Sequence, residues 1–401
     1  KNWGLSNNTT REAMATNNND KTLNVPPLRF PEFSGEWEEH TLSEYLEFKN
    51  GLNPDAKRIG SGLPFISVMD ILSEGVINYD NIRGKVNATE KEIECFGVKD
   101  GDLLFQRSSE TLEDVGRANV YMDNRTAIYG GFVIRGRKIG NYDPLFFKYL
   151  LATPLARKRT CRMGAGAQHF NIGQEGLSKI SLYFPSIEEQ RKIAGFLSLI
   201  DERIATQNKI IEDLKKLKSA IRKKIFSLLK DEYTKSFEIN QLLDYEQPTA
   251  YIVANDEYST DTRLTPVLTA NKGFILGYTD EKNGIYQKGA CIIFDDFTMD
   301  AKYVSFPFKV KSSAIKILTA KPNVNLRFMF EYLSYWELKS EEHKRHYISE
   351  ISPLVIELPS KEKQNIIALL MTSLNNKLTI EEKAKIRYEV QKGYLLSQMF
   401  I

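Results

Sequence analysis

The run FDDFTMDAK, residues 294–302, holds the side chains that come closest to a catalytic metal site. Its acidic pair, Asp295 and Asp296, and the D-x-K triplet that ends at Lys302 superficially resemble the site of a metal-dependent nuclease. Both parts fall within one turn, whereas nuclease metal sites usually draw them from separate strands. We therefore interpret the run as a polar loop that follows a strand.

Other signatures of catalysis are incomplete. His343 and His346 could lie on one helix face as metal ligands, but no third ligand stands at a telling spacing. The run GAGAQH carries His169 where a dinucleotide-binding loop needs glycine. The sequence contains neither a Walker A loop nor the [DN]PP[FY] motif that holds a flipped base in adenine methyltransferases. We expect no catalytic residue and no metal site in this chain.

Positive charge is concentrated in two segments. The whole chain has 55 Lys and Arg residues against 52 Asp and Glu residues, and this net charge of +3 gives no sign of an indiscriminate nucleic-acid binder. Residues 124–162, however, contain nine basic residues and one acid, and residues 301–330 contain six basic residues and no acid. The two segments coincide at an offset of 174 residues. Such runs suit contact with DNA phosphates, although a solvated face is the alternative.

Side chains that could contact DNA lie in these segments and in nearby loops. Arg can read guanine, and Asn or Gln can read adenine, when a loop reaches a groove of the duplex. In the first half of the chain the candidates are Gln106, Arg107, Ser108, Ser109, Arg117, Arg135, Arg137, Lys138, Gln168, Phe170 and Asn171. In the second half they are Thr269, Asn271, Lys272, Asp295, Asp296, Thr298, Lys302, Lys311, Arg345, His346 and Tyr347. Any one of them could instead form a turn or stabilise the fold, so the prediction concerns the loops.

The chain also repeats itself at an offset of 174. Residues 180–226 align without a gap with residues 354–400, and each copy is an apolar strand followed by the pattern PS-x-E-x-Q. Ser186 and Ser360 are suitable N-caps, so each copy predicts a long helix of about 40 residues. Apolar residues at alternating spacings of three and four predict a helix-helix seam. Its members are Ile193, Leu197, Ile200, Ile204, Ile211, Leu214, Ile221, Ile225, Ile367, Met371, Leu374, Leu378 and Leu395. Packing of each helix on its own globule is the alternative.

The segments before the two helices share a plan of strands, one helix and a closing strand, which predicts an α+β fold. We expect two similar globular domains joined by two long antiparallel helices in a pseudo-twofold dumbbell. The predicted parts are residues 1–27, 28–185, 186–232, 233–359 and 360–401: a disordered or artificial polar tail, a first globule, a central spacer helix, a second globule and a C-terminal spacer helix.

Cysteine usage and hydropathy favour a reducing cytosol. Cys95, Cys161 and Cys291 are far apart, which argues against a disulfide framework or a CxxC metal site. No uninterrupted apolar run approaches the ~20 residues of a membrane span. We expect a cytoplasmic protein that does not contact a membrane.

Taken together, these motifs resemble the specificity subunit of a type I restriction-modification system, bacterial or archaeal. The resemblance covers residues 28–401 and rests on LRFPEFSGEWEEHTLSEY at 28–45, the twice-used PS-x-E-x-Q helix start, and the segments YEQPTAYIV, TPVLTANKGFILGYT and IIFDDFT. It implies two target recognition domains that each read one half of a split sequence in double-stranded DNA. It further implies two methyltransferase subunits bound to the helices, restriction subunits in the full complex, and no catalytic activity in this chain.

The resemblance also assigns the cofactors to the partners: S-adenosylmethionine to the methyltransferase subunits, and ATP and Mg to the restriction subunits. The departure from the pattern is the second helix, whose seam is interrupted by Glu381, Lys385 and Lys392. Two alternatives remain at this point: a self-sufficient DNA nuclease or methyltransferase, and a coiled-coil adaptor that does not bind DNA.

Overall fold

The computed structural model describes residues 6–7, 24–166, 169–229, 235–270, 273–338 and 345–401. The chain divides into two compact units. Unit 1 contains the residues up to Gln207 together with Ala384–Ile401, and unit 2 contains Asn208–Lys383. Both boundaries fall inside the two long helices, so each unit contains one globule and a segment of each helix. Most of the predicted polar tail, residues 1–27, lies outside the described residues.

Unit 1 combines short strands with helices. Its strands are β1 (Ser6–Asn7), β2 (Leu28–Arg29), β3 (Glu38–Thr41), β4 (Leu46–Asn50), β5 (Ile59–Ile66), β6 (Gly84–Val86), β7 (Leu103–Gln106), β8 (Ser108–Ser109), β9 (Ala118–Val120), β10 (Ile128–Tyr129), β11 (Val133–Lys138), β12 (Phe170–Asn171) and β13 (Ser181–Phe184). Its helices before the first long helix are α1 (Val68–Ile71), α2 (Glu90–Phe96), α3 (Pro144–Ala152), α4 (Pro154–Arg162) and α5 (Gln174–Ser178). The long helix α6 (Ile187–Leu228) begins one residue after its predicted start.

Unit 2 is built in the same way. Its strands are β14 (Lys235–Glu238), β15 (Leu243–Glu246), β16 (Thr265–Leu268), β17 (Ile275–Thr279), β18 (Cys291–Asp295), β19 (Ala301–Val304), β20 (Lys309–Val310), β21 (Ile315–Ala320) and β22 (Val355–Leu358). Its helices are α7 (Ile239–Leu242) and α8 (Leu326–Tyr335), with a π-helical turn at Tyr347–Ile351, and the second long helix is α9 (Lys361–Gln398). The predicted α+β class, with two similar globular units and two long helices, is confirmed.

The two units share one strand topology. The four-stranded sheet has the order β4-β11-β7-β9 in unit 1 and β15-β21-β18-β19 in unit 2. In each unit a three-stranded sheet combines one parallel with one antiparallel pair, β10-β5-β6 and β20-β16-β17. The pairs β3-β13 and β14-β22 close the globules. Duplication is therefore a property of the whole globule and not of the helices alone.

The offset between equivalent residues changes along the chain. It is 174 in the helices, as between Ile193 and Ile367, but the strand registers equate Val133 with Ile315 in the four-stranded sheets, an offset of 182. The two basic segments were matched at 174, so their residues do not occupy equivalent positions within the globules. Loops of different length in the two units account for the drift.

The starts of the two long helices use identical chemistry. Gln190 donates from Nε2 to the carbonyl oxygen of Pro185 over 3.0 Å, and its Oε1 accepts from the amide of Asp143, the N-cap of α3, over 3.1 Å. Gln364 makes the same two contacts with Pro359 and Asn325, over 2.9 and 2.8 Å. Both glutamines are buried. The PS-x-E-x-Q pattern therefore ties each long helix to the globule helix beside it.

In each unit the two long-helix segments run antiparallel and pack on the globule. In unit 1, Ile193 and Leu197 share a core with Leu395, and Phe400 stacks on Phe146 at 5.4 Å between ring centroids. In unit 2, Ile225 shares a core with Ile367, and Phe226 packs on Phe328 at 5.5 Å. The start of one long helix thus meets the end of the other in both units.

Candidate nucleic-acid interface

The structure brings the two predicted loops of unit 1 together. Arg107 follows β7, and its carbonyl oxygen accepts from the amide of Ile172 over 3.0 Å. Beside this contact β8 pairs with β12, and the Ser108 hydroxyl donates to the side chain of Asn171. The loop after β7 and the loop around β12 therefore form one surface at one end of the four-stranded sheet. Gln168, which was predicted for the same surface, lies outside the described residues.

Unit 2 repeats this junction. The carbonyl oxygen of Asp296, after β18, accepts from the amide of His346 over 2.9 Å. This bond is the equivalent of the one between Ile172 and Arg107. The Asp296 carboxylate also accepts from the amides of His346 and Tyr347, over 3.1 and 2.8 Å. The same two loops therefore meet at the same end of the same sheet in both units.

The hairpin that carries the first loop is also conserved between the units. The amide of Gly116 donates to the carbonyl oxygen of Gln106, and the amide of Met299 donates to that of Asp295, over 2.9 and 3.0 Å. Gly116 and Met299 both have a left-handed backbone, with φ values of 65° and 59°. The unit 1 loop spans residues 107–115 and the unit 2 loop residues 296–298, so one frame presents two loops of different length.

Several predicted contact residues are exposed on these surfaces. Arg117 is about half exposed and pairs with Asp114 over 2.7 Å, while Ser108, Ser109 and Arg107 are partly buried. Asn171 is exposed and Phe170 is partly buried. In unit 2 the exposed candidates are Thr298, Lys311 and Arg345. Apart from Phe170, these side chains are polar and reach solvent, so they can form hydrogen bonds or ion pairs with an external partner.

Other predicted contact residues are buried and build the loops instead. Asp295 accepts from the amides of Phe297 and Thr298, both at 2.9 Å, and Gln106 donates to the carbonyl oxygen of Ser108 over 2.9 Å. The buried set comprises Gln106, Arg135, Thr269, Asp295, Asp296, His346 and Tyr347. The side chains of Asp295, Asp296 and Gln106 hold turns of the loops and do not reach solvent. The burial of Asp295 and Asp296 also removes the acidic pair of the apparent nuclease motif from solvent.

Asn271 and Lys272 lie outside the described residues, whereas the strands β16 and β17 on either side of them are described. Leu268, at the end of β16, accepts from the amide of Lys311 over 3.1 Å, and the amide of Thr269 donates to the carbonyl oxygen of Phe274 over 3.0 Å. The β16-β17 hairpin therefore neighbours the loop that carries Lys311.

Part of each basic segment faces the interior of its globule and not solvent. Arg135 is buried and donates to the carbonyl oxygen of Gly97 over 2.9 Å, and Arg137 donates to the same oxygen over 2.6 Å. Lys316 is buried beside Asp296 at 3.4 Å, and Lys309 pairs with Glu281 at 2.9 Å. Carbonyl groups accept hydrogen bonds from the two arginines and acids pair with the two lysines, and a count along one segment does not detect these partners.

Three further candidates are displaced from the loops. Val133, at one end of β11, pairs with Gln106 beside the loops. Arg137 and Lys138 lie at the other end of this strand. Lys138 donates to the carbonyl oxygen of Tyr142 over 2.8 Å. Lys302 pairs with Ile293 within the sheet and is partly buried. Lys311 is the candidate that belongs both to a basic segment and to a loop surface, whereas Arg137, Lys138 and Lys302 lie away from the loops.

The predicted helix seam is largely buried, but it contacts more than the other helix. Ile193, Leu197, Ile200 and Leu395 belong to the main core of unit 1, and Ile221, Ile225, Ile367, Met371 and Leu374 belong to that of unit 2. Ile204 and Ile211 are buried, and Leu214 and Leu378 are partly buried. Both interpretations of the stripes are thus partly correct, because the seam joins the helices and also anchors the globules.

Polar clusters that the sequence did not indicate join each globule to the long helices. In unit 1 the Tyr149 hydroxyl donates to Asp201 over 2.8 Å, and Lys392 pairs with Asp201 over 2.6 Å. In unit 2 the buried Glu331 pairs with Arg222 at 2.6 Å and with Arg327 at 3.0 Å. Lys392, expected to weaken the second helix, therefore stabilises it. Apart from Arg327 and Glu331, which are four residues apart in α8, the partners come from separate segments, so their spacing gave no signal.

Comparison with known proteins identifies the family. The model of the type I restriction modification DNA specificity domain matches residues 34–216 and again 231–390. The chain belongs to the type I restriction-modification DNA specificity family. Its domain is a DNA-recognition domain and not a catalytic one, so the alternatives of a self-sufficient enzyme and of an adaptor that does not bind DNA are set aside.

Individual relatives agree with the family. The chain is 39% identical over 178 residues to the EcoR124I/EcoR124II specificity subunit of Escherichia coli. The aligned stretch covers 40% of this chain and 43% of that subunit. It is 23% identical to the putative MjaX specificity subunit of Methanocaldococcus jannaschii, over 94% of this chain and 96% of that one.

Solved structures share the fold. The specificity subunit of M. genitalium superposes with a TM-score of 0.62 at 16% identity, covering 94% of this chain and 99% of that one. A chain from another type I restriction-modification system gives a TM-score of 0.54 at 11% identity, with 91% and 97% covered.

Two properties of the described part of the chain complete the picture. None of its helices is long and apolar enough to cross a membrane. The described residues also contain no group of three or more His, Cys, Asp or Glu side chains placed to hold a metal ion. His343, one of the histidines considered as a ligand, is outside this part of the chain.

Proposed function

We propose that this family member reads a bipartite DNA sequence, with one half bound by each unit. The observation that carries the proposal is the equivalent pair of hydrogen bonds, from Ile172 to Arg107 and from His346 to Asp296. They place two loops at the same end of the same sheet in both units. The frames are alike, but the exposed side chains differ, as expected of two surfaces that bind two different sequences.

The proposed contacts in unit 1 are Arg107, Ser108, Ser109, Arg117, Phe170 and Asn171. Those in unit 2 are Thr298, Lys311 and Arg345. Asn171 has an amide that can form a bidentate contact with adenine, while Lys311 and Arg345 can bind phosphate or guanine. The buried loop residues set the positions of these groups and contact no DNA themselves.

We further propose that the long helices dock methyltransferase subunits. Helix α9 exposes Ile366 and Leu369 in unit 2, and Ile386, Val390 and Tyr394 in unit 1, each with more than half of its surface accessible. Within each group these residues recur at spacings of three or four and so share a helix face. Large exposed apolar faces of this kind typify protein interfaces.

The remaining parts of the complex follow from this docking. Two methyltransferase subunits would bind S-adenosylmethionine, and restriction subunits recruited in the full complex would bind ATP and Mg. This chain would supply the sequence recognition. A subunit that acts on chromosomal DNA in this way would reside in the cytoplasm of a bacterial or archaeal cell.

The proposal is tested by expressing the chain with methyltransferase subunits, purifying the complex and mapping methylated bases in DNA. We expect co-purification and methylation of one sequence made of two specified parts with unspecified bases between them. Leu369→Glu and Val390→Glu should reduce co-purification, because they place charge on the apolar face, whereas the exposed Glu202→Ala should not. Methylation without sequence preference, or of a single continuous sequence, would overturn the proposal.

A further inference from the structure

Unit 1 has an apolar cleft that is lined in part by exposed side chains. The cleft has a volume of about 400 Å³ and is lined by Leu52, Pro54, Phe65 and Ile66, among others. Phe132, Met69 and Ile59 stand at it with 69%, 70% and 53% of their surfaces exposed. Three large apolar side chains clustered in this way indicate an interaction surface.

The cleft continues the proposed DNA-contacting surface. The amide of Arg107 donates to the carbonyl oxygen of Phe132 over 2.9 Å, and the Arg107 guanidinium donates to that of Gly131 over 3.3 Å. Phe132 is therefore held beside the loop after β7. Its own side chain reaches solvent at the end of the sheet where the loops of unit 1 meet.

The equivalent loop of unit 2 differs in chemistry. Gly130 donates to the carbonyl oxygen of Ile66 in unit 1, and Lys311 donates to that of Leu268 in unit 2, over 2.9 and 3.1 Å. The amide of Asp296 donates to Ala314, as that of Arg107 donates to Phe132. The sequence GGF in unit 1 thus stands where unit 2 has KSSA. Phe132 thus corresponds to the small Ala314, and the unit 2 loop presents the cation of Lys311 and two serine hydroxyl groups beside it.

An apolar side chain distinguishes base pairs in the major groove through one group, the C5-methyl of thymine. We propose that Phe132 is a specificity-determining residue that contacts a thymine methyl group in the half-site bound by unit 1. The inference rests on the proposed function, since it assumes that the loops of unit 1 contact DNA. It assigns the apolar part of the reading to Phe132 and the polar part to Asn171 and Arg107.

The test uses the full chain in complex with its methyltransferase subunits and DNA duplexes that carry the mapped target. Each thymine of the unit 1 half-site is replaced in turn by uracil, which lacks the methyl group and keeps every hydrogen-bonding atom. Loss of one buried methyl contact should weaken binding of the wild-type complex about fourfold at one position. Uracil in the unit 2 half-site should not remove a contact with Phe132, because Phe132 belongs to unit 1.

Three variants assign the effect. Phe132→Ala should bind thymine and uracil duplexes equally, whereas Phe132→Leu, which keeps an apolar group, should retain a difference. Ile139→Ala removes another exposed apolar residue of unit 1, just beyond the far end of β11, and should behave as wild type. Thermal unfolding of each variant checks that the fold is intact.

The outcomes separate the two proposals. Sequence-specific binding by the wild-type complex with equal affinity for thymine and uracil overturns the role of Phe132 and leaves the proposed function standing. A unit 1 half-site that contains no thymine on either strand also overturns the role of Phe132 and leaves the proposed function standing. If Phe132→Ala reduces DNA bending with no thymine preference in the wild type, the residue is a wedge between base pairs, which also contradicts the inference. Absence of any sequence-specific binding would remove the proposed function itself.

Discussion

The amide of Ile172 donates to the carbonyl oxygen of Arg107 over 3.0 Å and so joins two loops that lie more than sixty residues apart in the chain. The bond from His346 to Asp296 does the same in unit 2. These bonds turn two separate loops into one surface per unit. The predictions below test what that surface contacts and what holds it in place.

Asn171→Ala should weaken binding of the unit 1 half-site by about 1–3 kcal/mol and relax its specificity at one base pair, because a bidentate amide contact is lost. The fold should tolerate the change, because the side chain is exposed and the backbone pairing of β8 with β12 remains after its hydrogen bonds with Ser108 and His169 are lost. Binding of duplexes mutated at each position of the half-site measures the effect. Lys138→Ala, toward the opposite end of the sheet, is the matched control, and an equal loss in that variant would place the DNA elsewhere.

Lys311→Ala should weaken binding to all sequences alike and lower the slope of log K against log salt by about 1, because one phosphate contact disappears. Titrations over a range of salt concentrations provide the slope. Lys316→Ala removes a buried cation of the same segment and should instead lower stability, since it leaves Asp296 without its partner. If the salt slope responds to Lys316 and not to Lys311, the assignment of the surface is wrong.

Gln190→Ala should reduce the free energy of unfolding by about 1–3 kcal/mol, because it leaves the amide of Asp143 and the carbonyl of Pro185 buried without their partner. Gln364→Ala should have an effect of similar size in unit 2. Denaturant unfolding monitored by circular dichroism measures both. Arg191 is exposed in the same turn, so Arg191→Ala serves as the control. Equal stability of all three variants and the wild type would refute the role of the glutamines.

Lys148 should make unit 1 more stable as the pH rises from about 8 toward 10. Burial lowers the pKa of this lysine to about 8, against attraction from Asp201. In that interval the unfolded chain still holds the proton that the folded chain has lost, so stability increases with pH. Lys148→Met should remove this increment, which is measured as the difference between variant and wild type at pH 7.5 and 9.5. A parallel pH dependence of the two proteins would contradict the lowered pKa of Lys148.

Sequence reasoning predicted the elements that depend on local pattern. The PS-x-E-x-Q motif located the starts of both long helices to within one residue, because N-caps and helix periodicity are local properties. The sequence also indicated the loops around Arg107 and Asn171, and around Asp296 and His346, as sets of contact candidates, but it did not indicate that they pair.

Individual side chains were less predictable. Arg135 and Lys316 belonged to basic segments that suggested phosphate contact, yet each is buried against groups from a distant part of the chain. Phe132 is apolar and was not among the predicted contact residues, although it is among the most exposed apolar residues of unit 1. Burial depends on tertiary contacts, which neither charge counts nor residue type supply.

Exchange of residues 233–359 for the corresponding segment of another specificity subunit tests most directly whether each unit reads its own half of the target. The segment begins before β14 and ends after β22, so it replaces the globule of unit 2 and leaves both long helices and unit 1 unchanged. Methylated sites of the parental and exchanged complexes are then mapped. We predict that one half of the target changes to that of the donor while the other half is retained. A change in both halves, or in neither, would contradict the account.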